Sequence, residues 1–263
     1  MTPTLDISRS RHVARVFLNR PEVRNAFNAA VIAELAAAFN QFATDSELRV
    51  IVLGGHGKAF CAGADLAWMR AMADYNWEEN RADAQALADM LWTIYRCPVP
   101  IVGRVHGDCY AGGVGLAAVC DVLVAAEGVQ FCLSEAKLGL MPATIAPYVI
   151  KALGEQASRR YFTTAERFDA ARAKALGFVH EVVAADALDA KVDELVAALA
   201  ANGPAALRAC KRLVQDFAGR PIDDALRTDS VRRIAGVRAS VEGKEGVQSF
   251  LSKRAPAWQG NGP

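Results

Sequence analysis

Residues 105–142 read VHGDCYAGGVGLAAVCDVLVAAEGVQFCLSEAKLGLMP and carry the pattern that decides the fold. A glycine-rich turn, Ala111-Gly112-Gly113, opens a short apolar helix, and two β-like runs follow at 121–126 and 129–133. A lone acid, Glu135, stands directly after the second run. The start of a helix offers free backbone N–H groups, and a nearby carboxylate can move protons. The stretch therefore predicts chemistry on a carbonyl compound.

Outside this stretch, strand-like and helical segments alternate. Short apolar runs rich in β-branched residues predict buried strands at 13–18, 50–53 and 101–105. Asn28 can cap a helix that extends to about residue 43, and a longer helix is predicted over 77–95. Short buried strands that alternate with helices indicate an α/β fold.

The C-terminal part has a different pattern. From about residue 163 it is helical almost throughout, and no strand is expected after Val183. Gly203-Pro204 separates two of the predicted helices. We expect a helical appendage whose apolar faces pack on the core, on a neighbouring subunit, or on both.

Composition excludes several classes of protein. The 263 residues carry a net charge of +1, with 52% apolar and 22% charged residues, which gives no electrostatic footprint for nucleic acid or an anionic membrane. The N-terminal residues lack a signal-type apolar segment, and no uncharged run is long enough to span a membrane. Six scattered cysteines without a CxxC and four dispersed histidines predict free thiols, a cytoplasmic location and no metal site.

One motif imitates a dinucleotide site. The run from Gly113 to Ala118 satisfies the pattern G-x-G-x-x-A, and Glu135 follows about twenty residues later. A nucleotide-binding βαβ unit needs a full crossover helix before its next strand. Here the run at 121–126 already reads as a strand, so we predict no nicotinamide or flavin cofactor.

The remaining motifs resemble the crotonase family, the enoyl-CoA hydratases and isomerases, over nearly the whole chain. They are Asn19-Arg20-Pro21 with Asn25-Ala26, the run 59–65 (AFCAGAD), Val105-His106-Gly107, Ala111-Gly112-Gly113, Ser134-Glu135, the run 138–142 (LGLMP), Glu242-Gly243 and the run 250–254 (FLSKR). The resemblance implies a crotonase-type spiral of ββα units over residues 1–195, which would hold the CoA and acyl site. It also implies a helical oligomerisation region over 196–263, a homotrimer or dimer of trimers, and an acyl-CoA substrate without a separate cofactor.

The resemblance also implies roles for individual residues. The backbone N–H groups of Ala64 and Gly112 would form an oxyanion hole for the thioester carbonyl, and Glu135 would be the catalytic acid/base. The CoA moiety would contact Val23, Arg24, Ala62, Phe250 and Lys253, the last two often from a neighbouring subunit. For Arg24 and Lys253, an ordinary solvated surface role is an equal alternative.

The chain departs from the hydratase pattern at Gly115. Hydratases of this family use two glutamates, and the first belongs three residues after Gly112, where this chain has glycine. A glycine cannot bind water or a proton through a side chain. A mechanism with one carboxylate, as in a Δ3–Δ2-enoyl-CoA isomerase, therefore becomes attractive.

A second departure lies downstream. The runs 142–148 (PATIAPY) and 159–166 (RRYFTTAE) resemble a subgroup that acts on branched or carboxylated enoyl-CoAs, including the methylglutaconyl-CoA hydratases of leucine breakdown. In that subgroup another polar group could replace the missing acid, with Asp108, Tyr148 and Glu166 as candidates. A turn role is favoured for Asp108 and a helix N-terminal position for Glu166.

These observations leave three functions open. A hydratase/lyase acting on an enoyl-CoA such as 3-methylglutaconyl-CoA is the first, and an isomerase that uses Glu135 as its sole acid/base is the second. The third is a catalytically silent protein that binds CoA or RNA. The near-zero net charge argues against RNA, and retention of both glycine loops with Glu135 argues against lost activity.

Overall fold

The computed structural model describes residues 3–259. Its strands, in chain order, are β1 (Leu5–Ser10), β2 (Val13–Leu18), β3 (Val50–Gly55), β4 (Ala59–Cys61), β5 (Ile101–Val105), β6 (Asp108–Tyr110), β7 (Val122–Ala126), β8 (Gln130–Cys132), β9 (Arg167–Asp169) and β10 (Glu181–Val183). Its helices are α1 (Ala29–Thr44), α2 (Leu66–Ala73), α3 (Trp77–Arg96), α4 (Gly112–Ala118), α5 (Ala146–Leu153), α6 (Glu155–Thr164), α7 (Ala170–Ala175), α8 (Leu188–Ala200), α9 (Pro204–Phe217), α10 (Asp224–Ala239) and α11 (Val241–Leu251).

The strands form two sheets. The larger has the order β1-β2-β3-β5-β7-β10, and the smaller has the order β4-β6-β8-β9. From β3 to β8, consecutive strands alternate between the sheets, and helices follow each pair. Pairing is parallel from β2 through β3, β5, β7 and β10, and also from β4 through β6 to β8. The predicted α/β class and the repeated ββα units are confirmed.

The centre of the larger sheet is apolar on both faces. All six residues of β3 are buried, which suits a central parallel strand that is covered on each side. Helix α1 covers one face with Ile32, Leu35 and Phe39 and packs against α3. The predicted cap is confirmed, because the Asn28 side chain accepts a 3.0 Å hydrogen bond from Val31 N.

The expectation of helix almost throughout from residue 163 is wrong in two places. Strand β9 pairs antiparallel with β8, and β10 pairs parallel with β7. Each strand has only three residues, too few for a period of two to be visible, so the pairing with an existing sheet edge decides their conformation. Between Val183 and residue 259 no strand follows, as the sequence predicted.

Helix α8 runs through the expected boundary at residue 195 and packs on β3, β5 and β7. The division into a core of 1–195 and a C-terminal region of 196–263 therefore stays a prediction. Helix α9 is tied to the larger sheet by Lys211, whose side chain is only 5% exposed. Its Nζ donates to Asp121 Oδ2 at 2.6 Å and to Val99 O at 3.1 Å.

The sequence predicted no membrane span, no metal site and free thiols. Within residues 3–259, no helix combines the length and the apolar character that crossing a membrane requires. The same residues contain no group of three or more His, Cys, Asp or Glu side chains that could hold a metal ion. All six cysteines are free thiols, and only Cys210 is exposed.

The Lys211 contact gives a stability prediction. Lys211→Met keeps the apolar stem but leaves Val99 O and Asp121 without their ammonium donor. We expect the free energy of unfolding to fall by about 1–3 kcal/mol, measured by urea denaturation. Lys244→Met, at an exposed position of α11, is the control and should leave the midpoint unchanged. Equal midpoints for both variants would show that the buried contact contributes nothing.

Candidate active site

The first part of the site is a short ladder between residues 24–27 and 62–65. Its hydrogen bonds run from Ala62 N to Arg24 O (3.0 Å), from Phe27 N to Gly63 O (2.7 Å) and from Asp65 N to Phe27 O (2.8 Å). Successive N–H groups of an extended segment point to opposite sides, so Ala64 N–H points away from this ladder. It donates no hydrogen bond within residues 3–259, which leaves it free for a ligand.

The buried Asn25 side chain fixes this ladder to the larger sheet. Its Oδ1 accepts a hydrogen bond from Arg20 N, and its Nδ2 donates to His56 O and Ala59 O, both at 2.8 Å. The residue adopts a left-handed backbone with φ +56°, which asparagine tolerates better than most residues. Asn25 thus connects the turn before α1 to the loop between β3 and β4.

An ion pair holds the other end of the ladder. The Arg20 guanidinium donates to Asp65 Oδ2 and to Ala26 O, each at 2.7 Å, and Asp65 Oδ1 caps α2 by accepting from Ala67 N. Burial opposes the charge on Asp65, but the hydrogen bonds from Arg20 and Ala67 outweigh it and lower the pKa of this carboxyl. Because Asp65 follows Ala64 directly, the pair positions the free N–H group.

The second loop leads into α4. Ala111 has φ +47° and ψ −119°, a conformation that costs a residue other than glycine about 1–3 kcal/mol. Its N–H donates to Cys132 O at 2.8 Å, so the end of β8 holds it in place. Gly112 begins the helix, and its N–H has no intrahelical partner and donates no hydrogen bond in the described chain.

Glycine lets the two loops meet. A Cβ at Gly63 would lie 2.9 Å from Ala111 Cβ and 3.8 Å from Gly112 N, and Gly63 also has φ +94°. A Cβ at Gly113 would lie 2.5 Å from Cys61 O. Neither position has room for a side chain. The predicted pair, Ala64 and Gly112, therefore belongs to two loops in direct contact.

Glu135 follows β8, the strand whose Cys132 carbonyl accepts from Ala111 N. It begins the 3-10 helix Glu135–Leu138, three residues after Cys132, whose carbonyl holds Ala111. Its Oε2 atom is buried and has no hydrogen-bond partner among residues 3–259. Burial raises the pKa of this carboxyl above its ordinary value. A buried carboxylate that is left unpaired can exchange a proton with a ligand, which suits general acid/base chemistry.

The sequence also offered candidates for a second acid. Glu166 forms two hydrogen bonds with Arg160, at 2.6 and 3.1 Å, and these lower the pKa of its carboxyl. The expected helix N-terminal position is wrong, since Glu166 lies between the end of α6 and β9. The intervening strand β9 separates Glu166 from the next helix, α7.

The other two candidates also have partners of their own. Asp108 is the first residue of β6 rather than a turn residue, and burial followed by a hydrogen bond to Asp108 raises the pKa of Tyr110 to about 12. Tyr148 packs its ring 5.3 Å from that of Tyr95. None of the three candidates hydrogen-bonds Glu135 Oε2.

The predicted CoA contacts fall into two groups. Val23 ends the 3-10 helix Pro21–Val23, and the exposed Arg24, with φ +54°, follows it and accepts the hydrogen bond from Ala62 N through its carbonyl oxygen. Phe250 and Lys253 lie at the end of α11, which packs against α9 and α10, and Phe250 is 82% exposed. Phe250 and Lys253 thus belong to the C-terminal helical part, whereas the other predicted site residues precede α5.

The raised pKa of Glu135 gives a pH-dependent stability prediction. The folded protein binds this proton more tightly than the unfolded chain, so the stabilisation is complete below about pH 4.5 and is lost as the pH rises through the folded pKa. Glu135→Gln removes this titration. We expect the variant to melt above the wild type at pH 8 and the difference to shrink toward pH 4, measured by circular dichroism.

The exposed Glu127 provides the control for this series. Glu127→Gln should leave the pH dependence of the melting temperature unchanged. A Glu135→Gln difference that is constant with pH, or that grows toward pH 4, would contradict the role of burial at this carboxyl.

Comparisons with known proteins identify the family of the chain. A family model described as enoyl-CoA hydratase/isomerase matches residues 8–261. The chain is 30% identical over 259 residues to the 2,3-dehydroadipyl-CoA hydratase of Escherichia coli (97% of this chain, 98% of the relative). It is 31% identical over 252 residues to the mevalonyl-coenzyme A hydratase of Aspergillus fumigatus (94% and 92%).

A solved structure from Legionella pneumophila, assigned as an enoyl-CoA hydratase/isomerase (crotonase), is similar throughout. It superposes with a TM-score of 0.93 at 38% identity and covers 98% of this chain and 100% of that one. The match confirms the crotonase-type fold, and the chain belongs to the enoyl-CoA hydratase/isomerase family of enzymes.

Proposed function

We propose that the protein hydrates a branched or carboxylated 2-enoyl-CoA, such as 3-methylglutaconyl-CoA. One observation carries this proposal. Two loops that contact each other carry the free N–H groups of Ala64 and Gly112, and the half-buried Glu135, whose Oε2 atom is buried without a hydrogen-bond partner among residues 3–259, follows the strand that holds the second loop.

In this proposal Ala64 N–H and Gly112 N–H donate to the thioester carbonyl oxygen. Addition of a nucleophile at C3 moves negative charge onto that oxygen as an enolate. Backbone donors that are already fixed stabilise this charge without rearranging, and removal of one such donor in comparable sites raises the barrier by about 3–4 kcal/mol. Asn25, together with the Arg20–Asp65 pair, keeps the first donor in place.

Glu135 then serves both proton transfers. As a carboxylate it accepts a proton from water while the water oxygen bonds to C3. As a carboxylic acid it returns that proton to C2 when the enolate collapses, so one water is consumed and the carboxylate is restored. Burial, which brings the carboxyl pKa closer to neutrality, favours this double role.

The substrate class is supported by the named relatives and by the sequence after Pro142. Adipyl denotes a dicarboxylic acyl group and mevalonyl a branched one, and hydratases of both are similar to this chain. The CoA nucleotide would lie against Val23, Arg24 and Ala62. We propose no separate cofactor, no metal, no nucleic-acid partner, no membrane partner and a cytoplasmic location.

We also propose a homotrimer or a dimer of trimers. Several large apolar side chains of the C-terminal part are exposed in the single chain, among them Ile222 (96%), Val241 (88%) and Phe250 (82%). Such a surface is characteristic of a subunit interface. A neighbouring subunit would cover these residues and bring Phe250 and Lys253 to the CoA of the adjacent site.

The isomerase remains a second candidate because of one observation. A Cβ at position 115 would clash with Ile145, so a glutamate does not fit there. Of the two glutamates in the family pattern, the chain retains Glu135 alone. In an isomerase Glu135 would remove a proton from C2 and return it to C4, with the same two N–H groups holding the dienolate.

One assay separates these functions. The protein is incubated with 3-methylglutaconyl-CoA, a straight trans-2-enoyl-CoA and a trans-3-enoyl-CoA, and the conjugated thioester chromophore is followed. Loss of the chromophore with a 2-enoyl substrate supports the hydratase. Conversion of the 3-enoyl substrate alone supports the isomerase. Binding of the esters without any turnover would leave the silent CoA-binding protein.

The role of Glu135 has its own test. Glu135→Gln should lower kcat by about 10²–10⁴-fold, because the amide neither accepts nor returns the proton. Glu127→Gln, an exposed change of the same type, should keep full activity. A folded Glu135→Gln protein with activity near that of the wild type would refute the proposed acid/base.

A further inference from the structure

Position 115 and position 145 compete for the same space. A Cβ built at Gly115 would lie 2.1 Å from Ile145 Cγ2, 2.6 Å from Ile145 Cβ and 3.6 Å from Ile145 Cα. The first two distances are far below van der Waals contact, and both belong to the Ile145 side chain. With Ile145 in this position, residue 115 therefore has to be glycine.

The backbone fixes Ile145 relative to Glu135. Hydrogen bonds along the segment run from Leu140 N to Glu135 O (3.1 Å), from Ala146 N to Pro142 O (2.9 Å) and from Val149 N to Ile145 O (3.1 Å). Ile145 is only 2% exposed. It cannot move aside for a new side chain unless the segment that begins at the proposed acid/base also moves.

Ile145 also covers a defined face of α4. Gly112 and Gly115 are three residues apart, so they lie on one face of the helix, about 4.5 Å apart along its axis. The Phe27 ring would meet a Cβ at Gly112 at 3.0 Å, and Ile145 covers Gly115. Phe27 and Ile145 therefore cover the face of α4 that begins at Gly112, whose N–H is the proposed donor to the carbonyl oxygen.

We propose that Ile145 is a specificity-determining residue that fills the volume of a second acid and limits the bulk of the acyl group beside α4. This proposal rests on the proposed function. An isoleucine cannot hold water by hydrogen bonds, so the water that adds to the substrate is oriented by Glu135 alone. The acyl carbons next to the thioester lie against an apolar wall whose size is set by residue 145.

The steric pairing is tested by a stability cycle. Gly115→Ala should lower the melting temperature by about 3–10 °C, although alanine is the better helix former. In the Ile145→Gly background, the nearest remaining atom of residue 145 is its Cα, 3.6 Å from the new Cβ. Gly115→Ala should therefore cause no further loss of melting temperature in that background. An equal loss from Gly115→Ala in both backgrounds would overturn the pairing.

The specificity role is tested by binding, which needs no turnover. Calorimetry compares CoA, butyryl-CoA, 3-methylbutyryl-CoA and 3,3-dimethylbutyryl-CoA on the wild type and on Ile145→Ala. We expect Ile145→Ala to leave the affinity for CoA unchanged. The ratio of the affinities for the bulkier and the smaller acyl-CoAs should rise about tenfold, because one or more methylenes in an apolar pocket have an effect of this size.

Val149→Ala is the matched control, since Val149 is also fully buried and lies one turn later, in α5. It should leave the affinity ratio unchanged. An unchanged ratio in Ile145→Ala, or the same shift in Val149→Ala, would overturn the proposal for Ile145 alone. A wild-type protein that binds no acyl-CoA would overturn the proposed function and this inference together.

Discussion

The contact between the loops at Gly63 and Ala111 is the constraint on which the site depends. No side chain fits between them, because a Cβ at Gly63 would meet Ala111 Cβ at 2.9 Å. The closeness of the loops sets the spacing of the Ala64 and Gly112 N–H groups. The two sheets make the contact rigid, since β4 and β6 pair directly below these loops and β8 holds Ala111 through Cys132 O.

The site concentrates features that lower stability. Ala111 has a strained backbone, and Glu135 Oε2 is buried without a hydrogen-bond partner among residues 3–259. A strained backbone and a buried polar atom without a partner each cost free energy in the folded protein. The apolar core of β3 and α1, together with the hydrogen bonds of Asn25, supplies the stability that lets these features persist.

The sequence predicted the α/β architecture and five of the ten strands in residues 3–259, namely β2, β3, β5, β7 and β8, because runs of apolar β-branched residues are visible locally. It missed β1, β4, β6, β9 and β10. The last four have three residues each, and their conformation comes from pairing with strands that are distant in the sequence. It also missed Arg20 and Asp65 as partners, although an aspartate before α2 is a recognisable helix cap. The contact between Ile145 and Gly115 could not be predicted from the sequence, because it arises from tertiary packing of residues that are thirty positions apart.

The central claim is that Ala64 N–H and Gly112 N–H polarise a thioester carbonyl. The infrared stretching frequency of a ¹³C-labelled thioester carbonyl, recorded for a saturated acyl-CoA bound to the wild-type protein, tests it most directly. Two fixed donors predict a frequency clearly below that of the same ester in water. A bound ester whose carbonyl frequency equals or exceeds the value in water would contradict the claim.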